Sequence, residues 1–197
     1  MSRLQNYRDK RDLRSSPEPG GADRSSSGGA PRFVIQQHDA SSLHWDLRLE
    51  ADGVLVSWAV PKGPSTDPRE KRLAHRVEDH PLDYVDFEGV IPADEYGGGS
   101  VVVWDTGSYT NTTTDDDGGE VAVDDALEDG HLSFELHGEK LTGGFSLTRF
   151  RGEDDWLLVK QRGEGADARR RPTSTQPESV LSGRTNDEVA AAEGDPS

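Results

Sequence analysis

The chain has 197 residues, with 22 Lys and Arg against 38 Asp and Glu for a formal charge of −16, 31% hydrophobic residues and no cysteine. This composition supports one modest core with polar ends rather than two domains, and the missing thiols exclude a disulfide framework, thiolate metal sites and cysteine nucleophiles. No apolar run approaches the roughly 18 residues that span a bilayer, and Met1-Ser2-Arg3-Leu4-Gln5 leads into charge rather than a signal sequence, so a cytoplasmic protein with no membrane partner is expected.

In chain order, Tyr7 to Leu13 is a mixed, basic segment that either folds back on the domain or trails in solvent. Residues 15–30 are dense in Gly, Ser and Pro, bury too little to offset ordering entropy, and read as a linker. From 31 to 162, apolar residues recur with period two: Phe33-Ile35, Val54-Val56-Trp58, Val101-Val103, Leu132-Phe134-Leu136 and Trp156-Leu158. These predict strands, punctuated by Asp52-Gly53, Gly97-Gly98-Gly99, Asp117-Gly118-Gly119 and Gly143-Gly144 as hairpin or bulge positions. The fold class is mainly β and antiparallel, long enough to close into a small barrel or a sandwich. Only Asp124 to Asp129 looks helical within it. Asp115-Asp116-Asp117 reads as a solvated loop, because the alternating ligand spacing of a calcium loop is missing. Residues 163–197 form a polar tail with Arg169-Arg170-Arg171 and a short helical stretch over Asn186 to Ala192.

The informative strand runs from Leu43 to Glu50. Leu43, Trp45, Leu47 and Leu49 fall on one face, and His44, Asp46, Arg48 and Glu50 on the other, because successive strand side chains point oppositely. An imidazole and a carboxylate two residues apart stand side by side, and His38 lies just upstream across a short Ser-containing turn. Two imidazoles and one carboxylate make a three-ligand N/O set suited to Mn²⁺, Zn²⁺ or Fe²⁺. Arg48 projects from the same face. Downstream come Lys62, set between Pro61 and Pro64, then Arg72, His75, Arg76 and His80. A metal beside Arg and Lys in an anionic chain points to an anionic substrate, and the Arg fork matches phosphate. Taken singly, Lys62 reads rather as a loop-surface charge fixed between two prolines, and Arg72 and Arg76 as an exposed strand or helix face.

The runs Phe33-Val34-Ile35-Gln36-Gln37-His38, Leu43-His44-Trp45-Asp46-Leu47-Arg48-Leu49-Glu50, Ser57-Trp58-Ala59-Val60-Pro61-Lys62-Gly63-Pro64, His80-Pro81-Leu82-Asp83-Tyr84 and Glu88-Gly89-Val90-Ile91-Pro92 closely resemble the 3′-phosphoesterase domain of bacterial DNA ligase D and its stand-alone relatives. The resemblance extends from Tyr7 to about Gln161, and Pro177 to Thr185 looks like the segment that follows this domain in the multidomain ligases. It implies a small closed antiparallel β-barrel, to which the composition adds polar, partly disordered terminal tails. The implied activity is Mn²⁺-dependent trimming of 3′ ends on DNA or RNA-DNA strands, first removing a terminal ribonucleoside as a phosphodiesterase and then the 3′-phosphate as a phosphomonoesterase. The implied metal ligands are His38, His44 and Asp46. The implied phosphate-handling and catalytic positions are Arg48, Lys62, Arg72, His80 and Tyr84, with Gln36 as a polar support. Arg11, Asp12 and Glu18 match the family's N-terminal element. Residues 1–18 then become an arm over the site, 19–30 the linker, 31–162 the catalytic domain and 163–197 the tail.

Asp94 departs from the family, whose members often carry a small residue there. Gly97-Gly98-Gly99 is a hairpin rather than a phosphate loop, since no Gly-Lys-Ser/Thr follows. His80, with a pKa near neutrality if unperturbed, is either a proton donor to the leaving oxygen or a stabiliser of the phosphoryl group. Expected partners are 3′ ends, together with separate ligase, polymerase and Ku-like proteins, acting on a monomer. Two rival readings remain at this stage. One is a non-haem Fe(II) oxygenase, which also uses two histidines and an acid; the other is a non-catalytic module that holds a DNA end. The charge of −16 opposes nucleic-acid binding at low salt. In a salty interior the Debye length shrinks to about 3 Å near 1 M, and a local cationic pocket still works at contact range.

Overall fold

A computed structural model describes residues 2–21 and 28–193. Helix α1 (Gln5–Asp9) precedes strands β1 (Arg32–Asp39), β2 (Leu43–Ala51), β3 (Val54–Val60) and β4 (Lys71–Pro81). A 3₁₀ turn over Leu82–Asp86 leads to β5 (Gly89–Ile91) and β6 (Gly99–Asn111). Then come α2 (Val123–Asp129), β7 (His131–Gly138), β8 (Thr142–Arg151), β9 (Asp155–Lys160), α3 (Pro172–Thr175) and α4 (Asn186–Glu193). All pairings are antiparallel, in the order β1-β2-β3-β4-β9-β8-β7-β6, and β6 pairs back onto β1. Eight strands therefore close a barrel, with β5 added beside the first residues of β6. The mainly β, closed antiparallel fold read from the sequence is the one observed. No helix of the described residues is long and apolar enough to cross a membrane.

Local chemistry explains the turns. Asp52 (φ 48°) and Gly53 (φ 78°) are both left-handed, and Ala51 pairs with Val54, so β2 and β3 are joined by a two-residue turn whose twist suits the strands. Gly130 (φ 84°) closes α2 by donating its N–H to the carbonyls of Ala126 and Leu127.

Alternation separates two apolar clusters. The barrel interior holds Phe33, Ile35, Trp45, Leu47, Trp58, Trp104, Phe134, Phe145 and Trp156, with Trp58 and Trp156 edge-to-face at 6.0 Å. The alternate residues of the same strands, Val34, Leu55, Val101 and Val103, form a second cluster on the outside of the barrel wall. It is covered by Tyr7 of the N-terminal segment, by Tyr84 and Val85 of the 3₁₀ turn and by Phe87 just after it. The expected linker 19–30 lies partly outside the described residues, since 22–27 are not among them. The stretch read as a polar tail returns to the barrel. Val180 N–H donates to the Val103 carbonyl (2.9 Å), the Asn186 amide donates to the carbonyls of Gln37 and Ser100, and Val189 of α4 is fully buried.

A candidate metal centre and phosphate pocket on the outer wall

The β1–β2 hairpin assembles the acidic and imidazole groups. His38 pairs directly with His44, and Gln36 with Asp46, so all four share the outer face of the wall. The two imidazole centroids are 4.7 Å apart. His38 Nε2–H donates to the Gly97 carbonyl (2.7 Å) and His44 Nδ1–H donates to the Ser42 carbonyl (3.1 Å). These acceptors assign both tautomers and leave His38 Nδ1 and His44 Nε2 facing Asp46, at 3.5 Å from Oδ2 and 3.3 Å from Oδ1. Two imidazole lone pairs aimed at a carboxylate are repulsive unless a cation lies between them.

The three ligand atoms lie within 4.8 Å of one another. With bonds of about 2.1 Å and tetrahedral angles, neighbouring donors sit about 3.4 Å apart, close to the distance of each imidazole nitrogen from its nearer Asp46 oxygen. Burial opposes charging His44, but the hydrogen bond and charge of Asp46 outweigh it and raise its pKa. Burial alone would favour neutral Asp46. The Arg48 charge and the His38 and His44 imidazoles beside it prevail and hold the carboxyl well below its usual range.

Arg48 is the cation of this face. Its Nε donates to Gln36 Oε1 (2.7 Å), its Nη2 stands 3.4 Å from Asp46, and its guanidinium lies 4.9 Å from the Tyr84 ring centroid. Buried Nη1 has no acceptor, so one arm of the fork is unsatisfied beside the imidazoles. Gln36 is held in turn, its amide donating to the carbonyls of Tyr84 and Phe87.

The N-terminal segment supplies the opposite wall. Arg11 Nε donates to Glu18 (2.9 Å), Nη1 to Glu78 (3.0 Å) and Nη2 to His80 Nε2 (3.2 Å). Tyr84 O–H donates to the same Glu18 oxygen (2.8 Å). Burial, then the charge of Glu18, pushes the Tyr84 hydroxyl well above its ordinary pKa, so it remains a neutral donor. Since Nε2 of His80 accepts from a guanidinium, its Nδ1–H donates to the Glu78 carbonyl (2.9 Å). Burial and the charges of Arg48 and Arg11 place the His80 pKa well below neutrality. The proton-donor reading of His80 presumed an unperturbed imidazole; here it is neutral, with both nitrogens engaged.

Together these groups line one cleft of about 280 Å³, which contains Arg11, Glu18, His38, His44, Asp46, Arg48, His80 and Tyr84. Gln36 stands behind Arg48. Asp12 lies away from the cleft and accepts the Arg14 N–H (3.0 Å) in an exposed turn. Neither Lys62 nor Arg72 is among the lining residues. Lys62 is exposed where β3 ends. Arg72 donates to Glu70 (2.8 Å). A register shift between Leu55 and Ser57 separates Arg72 from His80, although even spacing on a regular strand would put them on one face. His80 pairs with Leu55 of the outer cluster, and Arg72 with Leu158 of the interior.

Sequence reasoning missed Glu78, Tyr96 and Gly97. Glu78 was accessible in principle, two residues before His80. Tyr96 lies 5.1 Å from Lys10 Nζ and 5.3 Å from the Arg11 guanidinium, while Gly97 contributes only a carbonyl. No local pattern marks either one.

With this geometry in hand, the family model described as the DNA ligase D 3′-phosphoesterase domain matches residues 36–149. The chain is 52% identical over 188 residues to the multifunctional non-homologous end joining protein LigD of Pseudomonas aeruginosa, which covers 92% of the chain and 21% of that relative. It is 45% identical over 164 residues to the LigD DNA repair protein of Mycobacterium tuberculosis, covering 82% of the chain and 20% of the relative. Against LigD of Mycolicibacterium smegmatis the figures are 41% over 169 residues, 81% and 21%. The chain therefore spans about a fifth of the length of the curated relatives it matches.

Proposed function

The chain belongs to the DNA ligase D 3′-phosphoesterase domain family, and from that membership we propose that it is a Mn²⁺-dependent hydrolase of 3′ ends on DNA or RNA-DNA strands. It would remove a terminal ribonucleoside by phosphodiesterase action and then the remaining 3′-phosphate by phosphomonoesterase action. The observation that carries this reading is the juxtaposition in one cleft of a three-donor N/O set with an arginine whose Nη1 has no acceptor. His38, His44 and Asp46 would hold the metal, which supplies Lewis-acid polarisation of a phosphate oxygen when bound.

Arg48 would grip the phosphoryl group through its free arm, held in place by Gln36 and the Tyr84 ring, and would counter charge that grows as the bond to phosphorus breaks. Arg11 would bring a second positive charge to the cleft. His80, neutral and accepting from Arg11, would act as a positioning residue for that guanidinium. Glu18 would tie Arg11 and Tyr84 together. Lys62 and Arg72 would act on phosphate from outside the cleft. The relatives are named as end-joining proteins, so the setting we propose is DNA end repair alongside ligase, polymerase and Ku-like partners, with the chain as a monomer.

Purified protein given Mn²⁺ and a 3′-phosphorylated primer should release inorganic phosphate, and His44→Ala should abolish that release. Phosphate release by His44→Ala at the wild-type rate would reject the assignment.

A further inference from the structure

Beyond the N-terminal segment, two further stretches of this acidic chain are basic. Residues 61–72 and 166–173 together hold seven Lys and Arg against three Asp and Glu, a net +4 where the whole chain carries −16. They are laid side by side. Asp167 N–H donates to the Thr66 carbonyl (2.9 Å), and Thr66 O–H donates to the carbonyls of Asp167 (2.7 Å) and Arg170 (3.3 Å). Glu70 joins them through charge, accepting from Arg72 (2.8 Å) and standing 3.6 Å from Arg171. Gly63 lies against Thr173 so closely that a Cβ there would meet it at 2.7 Å.

This basic strip begins where the cleft ends. Ala59 lines the cleft and pairs with Asp46, and Lys62 is three residues further along, at most about 10 Å of extended chain. The Arg171 side chain is about half exposed, and Arg170, half-buried, donates to Gln176 Oε1 (3.0 Å) at the surface. Within the strip, Arg72 Nε is buried without an acceptor.

We propose that the 61–72 and 166–173 segments form a track for the phosphate backbone of a single strand whose 3′ end sits in the cleft. This rests on the functional reading above and assigns Arg170 and Arg171 a role in binding rather than in chemistry. It also explains how a chain of charge −16 holds a polyanion: the attraction is concentrated in the cleft and the strip beside it, while the net charge of the whole chain repels.

The test compares binding of a 3′-phosphorylated dinucleotide with that of a 3′-phosphorylated strand of about ten nucleotides, by fluorescence anisotropy in EDTA over a range of salt. Wild type should prefer the longer strand. Arg170→Gln with Arg171→Gln should remove that preference, lower the slope of log affinity against log salt by about 1.4 and leave turnover of the dinucleotide unchanged. Arg170→Lys with Arg171→Lys should keep the slope, since it keeps the charge. Equal wild-type affinity for both lengths, an unaltered slope in the glutamine variant, or an equal loss in the lysine variant would overturn the proposal. Binding is read without turnover, so a wild-type protein that released no phosphate would overturn the functional reading and leave this comparison intact.

Discussion

The two faces of the barrel wall use the same strands for opposite purposes. Inside, β1, β2 and β3 contribute Phe33, Trp45 and Trp58 to a close-packed apolar core. Outside, the alternate residues His38, His44, Asp46 and Arg48 face a cleft that retains charge and where Arg48 Nη1 has no acceptor. A pleat of period two thus places stability and chemistry one residue apart while keeping them on opposite sides of the backbone. Substitutions on the two faces should therefore fail in different ways.

The largest expected effect is on the outside. His44→Ala should cut phosphate release by at least about a hundredfold, with the melting temperature of the metal-free protein within about 3 °C of wild type. Phe134→Ala, on the inside, should cost about 3–5 kcal/mol by leaving a cavity beside Phe145 and Tyr109. Urea unfolding would show the loss, while activity per folded molecule should stay near wild type. If His44→Ala unfolded the protein, or Phe134→Ala removed activity without destabilising it, the separation of faces would break down.

Between these extremes lies Arg11. Arg11→Gln removes a buried guanidinium that joins Glu18, Glu78 and His80, and leaves two carboxylates with fewer donors. A loss of about 3 kcal/mol and a reduced rate should appear together, because this residue both fastens the N-terminal segment and lines the cleft.

His80 gives the smallest effect and one with a definite sign. Its folded pKa is depressed by burial, Arg48 and Arg11. Between that value and the unfolded value of about 6.5, the unfolded chain binds a proton that the folded one refuses, so stability rises with pH across this interval and levels off above it. His80→Gln should weaken this dependence, measured as the difference in urea midpoint between pH 5 and pH 7. A wild-type midpoint that fell over this interval, with His80→Gln abolishing the fall, would mean that the imidazole is charged in the folded cleft.

The outer-face chemistry was legible in the sequence because β2 alternates without interruption from Leu43 to Glu50, and because a three-residue connection puts His38 opposite His44. The barrel was legible as a set of period-two runs, and the turn at Asp52-Gly53 as a pair of left-handed residues. The placement of Arg72 was not. The irregularity between Leu55 and Ser57 changes which side of the wall β4 presents, and no residue type there announces it. His80 could be located on β4, but its protonation state depends on Arg11, 69 residues away. Binding of the C-terminal stretch to the wall was equally hidden, since it rests on contacts between residues far apart in sequence, such as Asn186 with Ser100 and Val180 with Val103.

The central claim is that His38, His44 and Asp46 bind one divalent cation on the outer wall. Isothermal titration of the full chain with Mn²⁺ should give one site per chain, and Asp46→Asn and His38→Ala should each abolish it without loss of the β-rich circular dichroism spectrum. Wild-type stoichiometry and affinity in both variants would contradict the account.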